Sequence, residues 1–210
     1  MPHDDATLPE SFAEELVRAG FDGNEQSRAT LIAALHHELP RARSLAIRGL
    51  ARHQCVDTTM LLSLLRDANS NVLRDTLEVV AKLDAVDGEI TEALNTLLSH
   101  EDPLVVEATI FASGELGLAA LIDTLNRLTA SHEDARCREA GVIALGQIGS
   151  DQGRDAILAA LQDKPTVRRR AVVALSSFEG SDIETALDAA AQDRDWQVRS
   201  AVEQLRRDPD

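Results

Sequence analysis

What most restricts this chain is a period. Anchor residues of one pattern, an apolar residue often followed by Arg, fall at Ala42, Val72, Val105, Cys137, Val167 and Val198, at spacings of 30, 33, 32, 30 and 31 residues. A period in the 20–50 range marks an array of stacked units, none of which buries its apolar face alone. Four residues after the anchors stand Ala46, Thr76, Thr109, Gly141, Ala171 and Val202, and Arg43, Arg138, Arg168 and Arg199 follow their anchors directly. The cleanest copy is Cys137–Gly149, CREAGVIALGQIG, where Val142, Ile143, Leu145 and Ile148 recur at helical spacing among Ala140, Gly141, Ala144 and Gly146. Small residues at such points let a second helix approach closely. Upstream of each anchor runs an apolar stretch of helical period, so each unit reads helix, turn, helix.

The segments LLSHEDPLVVEATIFASGELG (97–117), HEDARCREAGVIALGQIG (132–149), LQDKPTVRRRAVVALSSF (161–178) and AQDRDWQVRSAVEQL (191–205) resemble HEAT repeats, of the short kind also found in phycobilin lyases. Copies one and two depart: Ala42 replaces Val, and Leu73 replaces Arg. A tetratricopeptide array needs a Tyr, which the chain lacks, and the ankyrin Thr-Pro-Leu-His tetrapeptide is absent. The resemblance implies an all-α, right-handed α-solenoid of about six helix pairs. Residues 1–22 would be an acidic lead and an N-terminal capping helix, and residues 23–210 six repeats in a single domain. The capping helix is expected over Pro9–Ala19, with Phe12, Leu16 and Val17 on one face. Asp57, Ser70, Asp87 and Asp102 suit N-caps, and Pro103 the first helical position after Asp102. In the last helix Arg206 stands where Leu145 and Leu175 stand in theirs, a polar outer edge that suits a C-terminal cap and a chain complete at both ends.

Charge narrows the partners. The net charge is −15, and both halves of the chain are acidic, which repels nucleic acid and anionic lipid. A DNA-handling relative would need a basic face and stacking aromatics, and this chain has one Trp and no Tyr. No apolar stretch approaches the roughly 18 residues of a membrane span, and MPHDDATLPESF is no secretory signal. Two cysteines, Cys55 and Cys137, make no disulfide framework, and a reducing cytoplasm fits. The abundance of Asp beside only two lysines, Lys82 and Lys164, suits a salty cytoplasm or a GC-rich genome equally.

Three His-Glu pairs, His37-Glu38, His100-Glu101 and His132-Glu133, raise the question of metal. Deoxyhypusine hydroxylase, of similar repeats, binds iron through such pairs two and three residues after the anchor. Here those positions hold Ser44-Leu45, Arg74-Asp75, Glu107-Ala108, Glu139-Ala140, Arg169-Arg170 and Ser200-Ala201. All three pairs fall before the anchor, in the turn between helices, so they are expected to be turn residues, with no metal and no cofactor. No nucleophile elbow, phosphate loop or Cys-x-x-Cys occurs. Cys137 at an anchor should be buried, and Trp196, two residues before its anchor, should pack over the preceding turn.

The sixth residue after the anchor should point into the concave groove lined by the second helices. In order it reads Arg48, Glu78, Phe111, Ile143, Val173 and Gln204. Three apolar residues in consecutive repeats would form a stripe, bordered by Glu107, Glu139 and Arg169 and turning basic over Arg168–Arg170. Such a patch rimmed by polar groups marks an interaction site, unless tight curvature turns the three side chains onto one another. The expected function is a non-catalytic scaffold or adaptor. It would work as a monomer, binding a protein or peptide segment with apolar anchors and some positive charge through Phe111, Ile143, Val173, Glu107, Glu139 and Arg169. The alternative, from the phycobilin-lyase resemblance, is an accessory in cofactor or chromophore attachment.

Overall fold

The computed structural model describes residues 7–207. The acidic lead expected at residues 1–8 therefore lies outside the described residues, apart from Thr7 and Leu8. Among the described residues the fold is all-α, with no strand. Thirteen α-helices follow one another: α1 (Glu10–Asp22), α2 (Glu25–Ala34), α3 (Pro40–Arg52), α4 (Thr58–Leu64), α5 (Ser70–Val80), α6 (Gly88–Leu97), α7 (Pro103–Glu115), α8 (Ile122–Ser131), α9 (Ala135–Ile148), α10 (Arg154–Ala160), α11 (Pro165–Ala174), α12 (Ser181–Ala190) and α13 (Trp196–Arg207). This is the α-solenoid class expected from the period. Contacts divide the chain into two compact units, Met1–Leu94 and Asn95–Asp210.

In the first unit α1 and α2 pack on α3 and on each other, α3 packs on α5, and α4 on α5. In the second, the helices carrying the anchors form one row, α7 on α9 on α11 on α13. The first helices lie along the row's other side, α8 on α9, α10 on α11, α12 on α13. Every anchor is buried, from Ala42 to Val198, none more than 1% exposed. Thr76 and Thr109 occupy the close position four residues on, and each satisfies its hydroxyl by donating to its own anchor's carbonyl, 2.7 Å to Val72 O and to Val105 O. A polar side chain can sit in this core because the helix itself supplies the acceptor.

Small residues set the spacing of the row. A methyl group placed on Gly114 of α7 would lie 2.7 Å from Ala144 Cα of α9, and one on Gly146 of α9 would lie 3.1 Å from Ala174 Cα of α11. Each contact joins the ninth residue after one anchor to the seventh after the next. In the first unit, a methyl on Gly20 would lie 3.1 Å from Gly49 Cα. That repeats the same contact, so α1 takes the place of a second helix at the head of its row.

Helix starts follow from short polar side chains. Asp57 accepts from Met60 N, Asp87 from Ile90 N and Asp102 from Leu104 N, with Pro103 first in α7. Ser70 is not the cap expected: Asn69 is, accepting from Asn71 N and Val72 N, and Ser70 is the first helical residue. The helix α1 runs past Gly20 to Asp22 and stops at Gly23, whose φ of 63° lies in the left-handed region open to glycine. On α1, Leu16 is fully buried and Phe12 half-buried, but Val17 is 44% exposed and belongs to a different face.

Candidate functional site

The six expected site residues are three pairs four apart, Glu107 and Phe111 on α7, Glu139 and Ile143 on α9, Arg169 and Val173 on α11. Residues four apart lie on one helix face, and these three helices are consecutive in the packed row. Phe111 is 49% and Val173 52% exposed, while Ile143 between them is half-buried. The helices reach this arrangement because the fifth residue after each anchor, Ile110, Val142 or Val172, is buried and turns its successor outward. The same slot in α3 and α5 holds Arg48 and Glu78, both exposed, with Arg48 3.7 Å from Asp75 and Glu78 bonded to Lys82 at 2.7 Å.

The polar border is partly committed. Glu139 accepts from Arg170 Nε at 2.9 Å, tying α9 to α11. Glu115 accepts from Gln147 at 2.5 Å, tying α7 to α9. Arg168, expected on the basic side of the groove, is not there: it is buried and points into the stack. The side chains of Glu107 and Arg169, both half-buried, make no hydrogen bond or ion pair with another described residue.

The stack that takes Arg168 recurs. Arg168 grips Asp193 with two hydrogen bonds of 2.8 and 2.7 Å and donates a third to Asp163 O. Arg138 grips Asp163 at 2.6 and 2.8 Å and donates to His132 O and Glu133 O. Arg43 grips Asp67 in the same way, at 2.6 and 2.8 Å. The guanidinium beside each carboxyl holds Asp163 and Asp193 below the usual carboxylate range, against a smaller opposing effect of burial. These arginines are thus joints between repeats and not groove residues. The signal was in the sequence, an Arg after four anchors, but its partner lies 24 or 25 residues on and only the stack brings them together.

The histidines of the His-Glu pairs occupy the turn that precedes each anchor. His37 Nδ1 accepts from Leu39 N, His100 Nδ1 from Asp102 N and His132 Nδ1 from Asp134 N, at 3.0, 3.0 and 3.1 Å. Asp67 and Asp193 hold their turns identically, accepting from Asn69 N and Asp195 N. The described residues contain no group of three His, Cys, Asp or Glu placed to hold a metal ion. Cys137 is buried, and burial pushes its thiol up to about 11, far from a nucleophile's range. Trp196 is 66% exposed, more open than packing over the preceding turn implies. Elsewhere, a cleft of about 560 Å³ opens between α10 and α12, floored by Leu158, Leu161, Ala186 and Ala190 beside the Arg168–Asp193 pair. No helix among the described residues is long and apolar enough to cross a membrane.

Comparison with known proteins bears on the fold. Two overlapping matches to the sequence pattern of HEAT repeats cover residues 58–145 and 127–206. No curated protein matches the sequence. Among solved structures, the chain is similar to an engineered protein at 20% identity and a TM-score of 0.65, over 86% of this chain and 96% of that one. It is also similar to a designed armadillo repeat protein solved with the peptide (KR)4, at 14% identity and a TM-score of 0.58, over 93% and 98%. A second designed armadillo repeat protein gives 16% identity and 0.55, over 90% and 96%. At these identities the structural likeness speaks for the fold alone, an architecture typical of protein-binding scaffolds. Period, helix pairs and matched residues agree: the chain belongs to the HEAT-repeat family.

Proposed function

We propose that this protein is a non-catalytic binding scaffold. The second-helix face of residues 95–210 receives a protein or peptide segment through Phe111, Ile143 and Val173. One observation carries the reading. Two large apolar side chains stand about half exposed in a slot where Arg48, Glu78 and Gln204 show that polar residues are accommodated. Exposed apolar groups in a polar frame cost solubility without adding to the core, and they are the anchors that concentrate interface energy. An amphipathic helix laid across the row suits such a surface. The peptide-bound designed armadillo protein shows that a related architecture can accept a peptide, in that case (KR)4. The acidic net charge of −15 favours a partner that is at least partly basic. The protein would act as a cytoplasmic monomer.

The test is affinity capture from native lysate, using the wild-type chain beside a Phe111→Ser/Ile143→Ser/Val173→Ser variant. The reading expects a partner that the wild type retains and the variant loses at an unchanged melting temperature. A collapse of the melting temperature would place the three residues in the core and end the reading.

A further inference from the structure

Resting on that reading, we infer that the binding face is electrically polarised and selects a segment with a cation at one end and an anion at the other. The observation is which charges remain available. Along the face, Glu139 is neutralised by Arg170 and Arg168 is buried against Asp193, whereas Glu115, bonded only by the uncharged amide of Gln147, keeps its charge on α7. That leaves an acidic end on α7, where Glu107 stands beside Phe111 within the field of Arg136 and Glu115 lies further along the helix, and a basic end on α11, where Arg169 stands beside Val173. They are of opposite sign and stand two helix steps apart. Adjacent helices pack roughly 8–10 Å apart, so the two charges are separated by about 20 Å.

That separation decides which electrostatic effect wins. At physiological ionic strength the Debye length is about 8 Å, so the field of the whole acidic chain is largely screened at any one point of the face. A partner group near Val173 senses Arg169 before it senses the net charge of −15. Each end of the stripe therefore chooses its own counter-charge. Glu107 takes a Lys or Arg beside the anchor that meets Phe111, and Arg169 takes an Asp or Glu beside the anchor that meets Val173. A helix rises 1.5 Å per residue, so each step across the row consumes about six or seven residues and the whole span about thirteen. The occupant is then an amphipathic helical segment of a partner protein, about two heptads long. It carries three apolar residues on one face, with lysine or arginine flanking the first and aspartate or glutamate flanking the last.

The test uses the full chain and four synthetic helical peptides that share the same three leucine anchors. One is basic at one end and acidic at the other, one basic throughout, one acidic throughout, and one neutral. The polarised peptide is expected to bind about tenfold more tightly than any of the others. A spin label at its basic end should broaden resonances of α7 and spare α11. In the Glu107→Arg/Arg169→Glu variant the same peptide should bind with similar affinity but reversed, with the broadening moved to α11. The swap breaks no hydrogen bond among the described residues but sets a cation near Arg136, which Glu107 otherwise favours, so a thermal melt is recorded to confirm that the swapped variant folds. Tightest binding by the all-basic peptide, or a label that broadens both ends equally, overturns the polarised face while leaving the scaffold reading intact. Binding of every peptide that is indifferent to Phe111→Ser/Val173→Ser overturns both.

Discussion

The joint between α7 and α9 and the two joints that follow it come from one repeat pattern but are held by different forces. At α9–α11 and α11–α13 an arginine, Arg138 or Arg168, reaches forward to Asp163 or Asp193 in the next turn. At α7–α9 the arginine's place is taken by Val106, 1% exposed, and the aspartate's place by His132. The replacement has occurred on both sides of the joint at once. A buried aspartate without its guanidinium would be an uncompensated charge, whereas His132 holds its own turn by accepting from Asp134 N without needing one. Leu73, followed one repeat later by His100, repeats the exchange in the sequence. Val106 with His132 is thus a second, self-consistent way of closing a joint.

Removing one half of an ionic joint should have the largest effect. Arg168→Ala leaves Asp193 half-buried and Asp163 O without a donor, and should cost about 3–5 kcal/mol in urea unfolding. Arg168→Val/Asp193→His, which copies the α7–α9 joint, should recover at least half of that loss. A double variant no better than the single one would show that the apolar joint depends on its own surroundings. Next in size is close packing. Gly146 closes the α9–α11 joint against Ala174, whereas Ser176, at the same register of the α11–α13 joint, is exposed. Gly146→Leu should therefore cost about 1–3 kcal/mol or more, and Ser176→Leu no more than about 0.5 kcal/mol.

Acid separates the joints further. The folded pKa values of Asp163 and Asp193 lie below the unfolded value of about 3.9. The stability they contribute is fully present above that value and is lost as pH falls through the folded values. Melting temperatures recorded from pH 5 to pH 2 should fall less steeply in Asp163→Asn/Asp193→Asn than in the wild type, although the variant starts lower. A parallel fall would mean that the ionic joints are not what acid breaks. The smallest effect concerns a helix end. Gln54 has a φ of 54° and closes α3 with Cys55 N donating to Leu50 O, the same bonding that Gly117 uses at the end of α7. Gln54→Gly should stabilise the protein by about 1 kcal/mol, measured by thermal melting, because an L side chain is disfavoured there.

The period, the helix pairs and the buried anchors were legible because they depend on spacing alone. Cys137 could be placed inside from its register. The outward turn of Phe111 and Val173 was legible only as one of two options, since curvature decides whether such side chains meet each other or water. Asn69 and Ser70 are both good cap residues one position apart, and backbone geometry, which the sequence does not show, chooses Asn69. Three consecutive arginines, Arg168–Arg170, carry no label saying which points inward. The fate of each follows from its helix angle: Arg168 goes to Asp193, Arg170 to Glu139, and Arg169 is left facing out.

The forward-reaching arginine also makes each repeat directional in what it accepts as a neighbour. The repeat containing α10 and α11 presents Asp163 at its entry and Arg168 at its exit, so a duplicate of it could be spliced in after itself and both junctions would be satisfied. The repeat containing α8 and α9 enters with His132 and exits with Arg138, so placed behind any arginine-ended repeat it would strand that guanidinium. Lengthening or shuffling such an array is therefore a matter of matching ends, like dominoes, and the residue one place after each anchor states which tile can come next.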